Sequence, residues 1–157
     1  MNGTRRQPKM SVLAENKRAY FDYEILETYE AGLVLYGCEV KAIKTGHISL
    51  KGSYVVIKNR EAFLINAFIP PYQPANTPSE YGPERSRKLL LKKLELESLI
   101  GKSKQKGLTL IPLKLYTKHR KVKLEFAIAR GKRKIDKREM IKKREVEREM
   151  RRHLGER

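Results

Sequence analysis

Apolar and polar positions alternate with a period of two through much of this chain. Residues 121–129 place Val122, Leu124, Phe126 and Ile128 against Lys121, Lys123 and Glu125. Successive side chains of a strand point to opposite faces, so this run predicts a strand with one face in a core and a lysine-bearing face in water. Its partner is predicted over 108–116, joined through Thr117-Lys118-His119-Arg120. Pro112 lacks an amide donor and puts that partner at an edge or a bulge. Residues 54–57 and 62–65 flank the polar Asn59-Arg60-Glu61 and predict a second hairpin. Residues 23–29 and 32–36 predict a third, turning at Glu30-Ala31-Gly32.

Elsewhere the spacing is helical. Residues 39–44 predict a short helix that turns Val40 and Ile43 inward and ends at Thr45-Gly46. Residues 84–100 carry Leu89, Leu90, Leu91, Leu94, Leu96, Leu99 and Ile100, with Pro83 near the start and Gly101 past the end, and predict a long helix. Residues 70–83 hold five of the seven prolines, too many missing donors for a helix or a central strand, and predict a surface loop.

The ends differ in character. Residues 1–12 are polar and basic, broken by Gly3 and Pro8, and are expected to form a disordered lead to a globular unit over 13–130. Over 131–157 the sizeable apolar residues are Ile135, Met140, Ile141, Val146, Met150 and Leu154, too spread to bury a face, which predicts a disordered or partly helical basic tail. The tail is competent to become a helix: no Gly or Pro interrupts 132–154, and Glu139/Lys143 and Glu147/Arg151 stand in the favourable four-residue order. Together these elements predict a mainly β fold, an OB-like antiparallel β-barrel with flanking helices and a disordered basic C-terminal tail. A half-open α+β sheet would give almost the same string.

With 157 residues, 39% of them apolar, the chain can bury one modest core. Charge narrows the function. The 36 Lys and Arg against 18 Asp and Glu leave +18, an excess that a polyanion would neutralise. Nucleic acid is the first candidate, and an anionic membrane surface or simple solubility the competing readings. In the tail, counted from Arg130, thirteen Lys and Arg face six Asp and Glu. No segment approaches the roughly 18 apolar residues of a membrane span, and the first residues lack the apolar stretch of a secretory signal, so a cytoplasmic protein without a membrane partner is expected. The lone Cys38 lies in an apolar, strand-like neighbourhood and reads as a buried, inert thiol.

Catalytic groups do not converge. His47, His119 and His153 fall in a turn, a hairpin loop and the tail, without metal-ligand spacing. Gly101-Lys102-Ser103 lacks the first glycine of a P-loop, since Leu96 stands there, and it follows a predicted helix. Acidic residues alternate with basic ones as on an ion-paired face. The expectation is a protein that is not an enzyme, with no metal, no cofactor and no small-molecule substrate.

Four blocks in order then carry a resemblance: Glu15-Asn16-Lys17; Glu30-Ala31-Gly32-Leu33-Val34-Leu35 with Gly37-Cys38-Glu39-Val40-Lys41; Arg87-Lys88-Leu89-Leu90-Leu91; and Arg130-Gly131-Lys132-Arg133 leading to Asp136-Lys137-Arg138. Over about residues 15–144 the chain resembles the SsrA-binding (small protein B) family of tmRNA-binding factors. The resemblance implies an OB-like barrel that binds the tRNA-like domain of tmRNA and carries it to stalled ribosomes, with a tail that enters the mRNA channel and folds there. A general OB-type translation or ribosome-associated protein without tmRNA preference is the alternative.

Carried over position by position, the RNA surface implied is Asn16, Glu30, Leu90, Lys121 and Arg130, Gly131, Lys132 and Arg133. Lys17 and Arg18 beside Asn16, Phe21, which can stack on a base, and Lys123 on the wet strand face complete the candidate set. Ion pairing is the alternative reading for Glu30, and core packing the alternative for Leu90. Asp136, Lys137 and Arg138 map onto the segment that meets the decoding region of the ribosome. Two positions depart from the family pattern: Phe21 stands where a histidine is common, and Ile135, which cannot stack, where an aromatic or histidine is common.

Overall fold

The computed structural model describes residues 10–155. They run β1 (Ser11–Glu15), α1 (Lys17–Asp22), β2 (Tyr23–Leu33), α2 (Gly37–Lys44), β3 (Tyr54–Lys58), β4 (Glu61–Ile65), β5 (Arg87–Leu90), α3 (Lys93–Ser103), β6 (Leu108–Lys118), β7 (Lys121–Gly131) and α4 (Lys134–Gly155). The seven strands form one antiparallel sheet in the order β1-β6-β3-β4-β5-β2-β7. β7 also pairs with β6, so the ladder from β6 through β3, β4, β5, β2 and β7 returns to β6.

Two tight turns fix the register. Asn59 and Arg60 at φ 51° and 61°, and His119 and Arg120 at φ 51° and 63°, are consecutive left-handed residues. This is the twist that a two-residue antiparallel hairpin requires, and both turns are shorter than the loops expected from the sequence. β6 bulges between Pro112 and Lys114, and it is an interior strand with β1, β3 and β7 as neighbours. The missing amide of Pro112 is accommodated by the bulge.

Four expectations need correction. Residues 23–33 are one strand, not a hairpin turning at Glu30-Ala31-Gly32. β2 is long enough to pair with β7 along its whole length and with β5 at its end. Gly32 serves close approach instead of turning: a Cβ there would lie 3.3 Å from the Cβ of Leu90. Second, the expected helix over 84–100 divides into β5 and α3. Arg87 and Leu89 are buried while Leu90 is exposed, a period-two pattern hidden in a leucine run, and β5 fills the gap between β2 and β4. Sheet closure overrides the helix propensity of leucine, and Gly101 lies inside α3. Third, Cys38 lies in the first turn of α2, half-buried and not on a strand. Fourth, Ser11 and Val12 of the expected lead pair with Thr117 and Tyr116 in β1; residues 1–9 lie outside the described residues.

The core is a single large cluster lined by Leu50, Val55, Leu64, Leu99, Leu115, Leu124 and Phe126, on which α2 and α3 set Ile43 and Leu99. A smaller cluster lies on the outer face of β6 and β7, where Ala19 of α1 covers Ile111, Leu113, Ala127 and Ala129. The expected wet face of β7 is therefore wet only as far as Glu125. Beyond it, small alanines let α1 sit on the sheet.

One buried ion-pair network ties α2 to β5 and to the proline-rich loop. Glu39 and Arg87 are both fully buried. Glu39 accepts from Arg87 Nε at 2.5 Å, from Arg85 Nε at 3.1 Å, from the Tyr36 amide at 2.9 Å and from Tyr81 Oη at 3.3 Å. Arg87 in turn donates to the carbonyls of Ala67 at 2.7 Å, Pro83 at 2.9 Å and Arg85 at 3.1 Å.

Candidate nucleic-acid interface

The candidate residues gather at the two ends of the long β2–β7 ladder. At about 3.3 Å per residue, β7 puts roughly 30 Å between Lys121 and Arg130.

At the hairpin end, Gly32 stands opposite both Leu90 and Lys123, and with Lys121, Arg120 and Val122 these residues line one shallow groove. Leu90 is 54% exposed, which makes it a surface residue and not core. The absent side chain of Gly32 lets Lys123 Nζ pass 3.8 Å from where a Cβ would sit. Glu30 projects beside the groove and is held by two partners: Tyr116 Oη donates to its carboxylate in a short contact, and Lys118 Nζ lies 3.4 Å away. The Tyr116 hydrogen bond, assisted by Lys118, holds the Glu30 carboxyl below the usual carboxylate range. Burial, then Glu30 itself, pushes the Tyr116 hydroxyl far above an ordinary phenol. Glu30 is therefore an oriented acceptor as well as an ion-pair partner.

The other end joins α1 to the start of α4. Asn16 stitches α1 to the β6 bulge, its amide nitrogen donating to the Leu113 carbonyl at 2.7 Å and its Nδ2 to the Pro112 carbonyl at 3.0 Å. Lys17 and Arg18 are exposed. Lys132 is half-buried: its amide donates to the Asp22 carbonyl at 2.9 Å and its ammonium to the Tyr20 carbonyl at 3.0 Å. That makes it a joint between β7 and α1 more than a free cation. Arg130, Gly131 and Arg133 are exposed around it.

The tail, expected to be disordered or partly helical, is a continuous 22-residue helix with no buried residue. It meets α1 through its first turns. Asp22 receives Arg18 Nε at 3.1 Å and Lys137 Nζ at 3.2 Å, and the Arg144 guanidinium lies 5.6 Å from the centre of the Phe21 ring. Partial burial raises the Asp22 carboxyl, but the Lys137 and Arg18 hydrogen bonds outweigh it and leave it below the usual value. Asp136, Arg138 and Ile135 are exposed, Ile135 by 67%.

Among the described residues, Lys17, Lys121, Lys123, Arg130, Arg133 and Arg138 form no ion pair, whereas Lys88, Lys102, Lys114 and Lys118 each sit against a glutamate. The candidates Arg18 and Lys137 are both held by Asp22, and cations outside the set, such as Lys41, Lys51, Lys58, Lys92 and Lys104, likewise form no ion pair among the described residues. The sequence reading missed Tyr116, Lys118, Asp22 and Arg144, because their partners are brought near by the fold; Tyr116 and Glu30 are 86 positions apart. Among the described residues no cluster of His, Cys, Asp and Glu could hold a metal ion, and no helix is long and apolar enough to cross a membrane.

Comparison with known proteins bears on what this surface meets. The family model described as "SmpB protein" matches residues 13–156. An SsrA-binding protein of Persephonella marina is 52% identical over 141 residues, 90% of this chain and 92% of that protein. Another, from Thermosipho africanus, is 53% identical over 146 residues, 92% of this chain and 97% of that one. A solved chain reported under "tmRNA-SmpB: a journey to the center of the bacterial ribosome" superposes with a TM-score of 0.65 at 45% identity, covering 83% of this chain and 95% of its own.

Proposed function

The chain belongs to the SmpB family, and from that premise we propose that it binds the tRNA-like domain of tmRNA and delivers it to stalled ribosomes for trans-translation. It does so without catalysis, as a cytoplasmic RNA-binding factor. The closed circuit of strand pairings is read as an OB-like barrel that forms the RNA platform over residues 13–130, and 131–157 as a tail for the ribosome.

The observation that supports this reading is the placement of Lys121 and Lys123 at one end of β7 and of Arg130 and Arg133 at the other, with the oriented acceptor Glu30 and the exposed Leu90 beside the first pair. Phosphates set affinity through Lys121, Lys123, Arg130 and Arg133, while Glu30 and Leu90 contact the groups that distinguish a folded RNA elbow from a plain duplex. Lys17, Arg18, Asn16 and Phe21 extend the surface over α1. Asp136, Lys137 and Arg138 open the tail that meets the decoding region and the mRNA channel. With no buried residue of its own, α4 gains little from the body, and a helix of this kind is marginal until a second surface covers it.

The test is a titration of the purified chain with the tRNA-like domain and with an unrelated duplex of equal length at matched salt. Neutralising about six phosphates lowers affinity by roughly a thousandfold between 50 and 200 mM salt, so only the comparison at equal salt isolates recognition of shape. Preference for the tRNA-like domain at every salt is expected. Equal affinity for both refutes the proposal.

A further inference from the structure

Glu30 is an acid on a surface that otherwise gathers cations, and the fold holds it there from two strands away. Tyr116 on β6 and Glu30 on β2 are separated by β7, which pairs with both strands. Neighbouring strands lie about 4.8 Å apart, so the two backbones stand roughly 10 Å apart and the phenol spans β7 to meet the carboxylate. Tyr116 is opposite Lys123 in the β6–β7 register and Glu30 is opposite Glu125 in the β2–β7 register, so the side chain runs diagonally from one row to the next. Tyr116 is 2% exposed, and Lys114 Nζ lies 5.7 Å from the centre of its ring. Packing fixes the ring, and its hydroxyl is the part that serves the candidate surface.

We propose that Tyr116 is the positioning residue of this surface: its hydroxyl holds the Glu30 carboxylate as a fixed acceptor for the N–H donors of unpaired bases, and thereby sets the preference for a folded RNA corner over a plain duplex. The inference rests on the RNA-binding function proposed above. Tyr116 is buried, so it acts through Glu30 and touches no RNA itself.

The chemistry of RNA selects this role. Phosphate oxygens are acceptors and repel a carboxylate, so Glu30 gains only from donors, which are the 2′-hydroxyls and the amino and imino groups of the bases. In a duplex the Watson–Crick donors are already paired. In a loop or corner they are open, and a carboxylate then tells the two apart. Glu30 has room for such a donor, since an ionised carboxylate offers about four acceptor positions. Tyr116 takes one on Oε2, Lys118 Nζ lies 3.4 Å from each oxygen, and the Glu30 side chain is 39% exposed. Burial and Glu30 hold the Tyr116 hydroxyl far above an ordinary phenol, so it stays protonated and keeps donating. Without that grip a half-exposed glutamate spreads over several rotamers, and ordering it would cost binding energy.

The experiment compares the full chain with Tyr116→Phe, Glu30→Ala and the double variant, titrating each with the tRNA-like domain and with an unrelated duplex of equal length at matched salt. Phenylalanine keeps the buried ring and removes the hydroxyl, and thermal melts check that each variant is folded. Tyr116→Phe is expected to weaken binding of the tRNA-like domain by roughly tenfold, the low end of what a hydrogen bond to a charged group contributes, and of the duplex by less than about twofold. In the Glu30→Ala background it should change neither affinity, because a residue that acts through Glu30 has nothing left to position. A second readout needs no RNA. Glu30 faces Tyr116 and Lys118 of β6 and Lys123 and Glu125 of β7, and the Tyr116 hydrogen bond is the largest influence holding its carboxyl below the usual value. The titration midpoint of the Glu30 side-chain carboxyl resonance, followed by carbon NMR, should therefore rise in Tyr116→Phe. Equal losses on both RNAs, additive losses in the double variant, an unmoved Glu30 midpoint or a Tyr116→Phe chain that no longer folds would each overturn the positioning role and leave the RNA-binding function standing. A parent chain with no preference for the tRNA-like domain removes both.

Discussion

Replacing Glu39 by Gln tests the packing that positions the RNA platform. Glu39 and Arg87 are fully buried and joined at 2.5 Å, with Arg85 and Tyr81 closing the network. Glutamine keeps the shape and one acceptor oxygen, but it turns an amide donor toward two guanidinium groups and leaves the Arg87 charge uncompensated. Breaking a buried pair from one side costs about 3–5 kcal/mol. The partially exposed Arg85 adds little to that figure, since water can solvate it. For a chain of this size each kcal/mol lowers Tm by about 2–4 °C, so Glu39→Gln should melt roughly 6–20 °C below the parent. Urea unfolding followed by circular dichroism measures the loss. Arg87→Met on top of Glu39→Gln should recover part of it, because removing both charges is far less costly than stranding one. A loss below about 1 kcal/mol in the single variant, or a double variant whose losses simply add, would refute the reasoning.

Other outcomes follow from the same geometry. Burial raises the Glu39 carboxyl, but the Arg85, Tyr36-amide and Arg87 hydrogen bonds outweigh it and leave it below the usual glutamate value. A depressed carboxylate contributes stability above the unfolded value of about 4.3 and loses it as pH falls through the folded one. The urea midpoint should therefore decline below about pH 4.5 and do so less steeply in Glu39→Gln; identical pH profiles would count against this. Lys121→Gln combined with Lys123→Gln should weaken binding to the tRNA-like domain and reduce its log–log salt slope by about two, read by titration at four salt concentrations. Gly32→Val should cost about 1–3 kcal/mol by overpacking, since its Cβ would meet Leu90 at 3.3 Å. Thermal melts should show Leu90→Ala relieving much of that loss.

Local pattern revealed the elements whose signal is local. The alternation from Lys121 to Ile128, the hairpin expected at Asn59-Arg60-Glu61, though one residue tighter, and the helix holding Val40 and Ile43 all appear in the structure. What pattern could not give was anything decided by closure. Arg87-Lys88-Leu89-Leu90 looks helical alone and becomes a strand because the ladder needs a member between β2 and β4. Gly32 looks like a turn residue and is instead the gap that admits Leu90 and Lys123.

The site was legible in the same uneven way. Cations could be picked out by type and block, but their division between two ends of one ladder could not. Nor could the burial of Lys132 between β7 and α1, or the grip of Tyr116 on Glu30. These depend on partners tens of positions away, and no composition or spacing encodes them. The tail shows the opposite case. Its helical competence was plain from the absence of Gly and Pro, while its docking on α1 needed the positions of Asp22 and Phe21.

The central claim divides the work between a folded body that grips tmRNA and a tail that acts on the ribosome. It is tested most directly by ending the chain after Arg133 and measuring peptide tagging on ribosomes stalled at the end of a truncated message, beside affinity for the tRNA-like domain. The account predicts tagging abolished, with affinity for the tRNA-like domain largely kept. Normal tagging by the shortened chain, or a loss of RNA affinity in proportion to the charge removed, would contradict it.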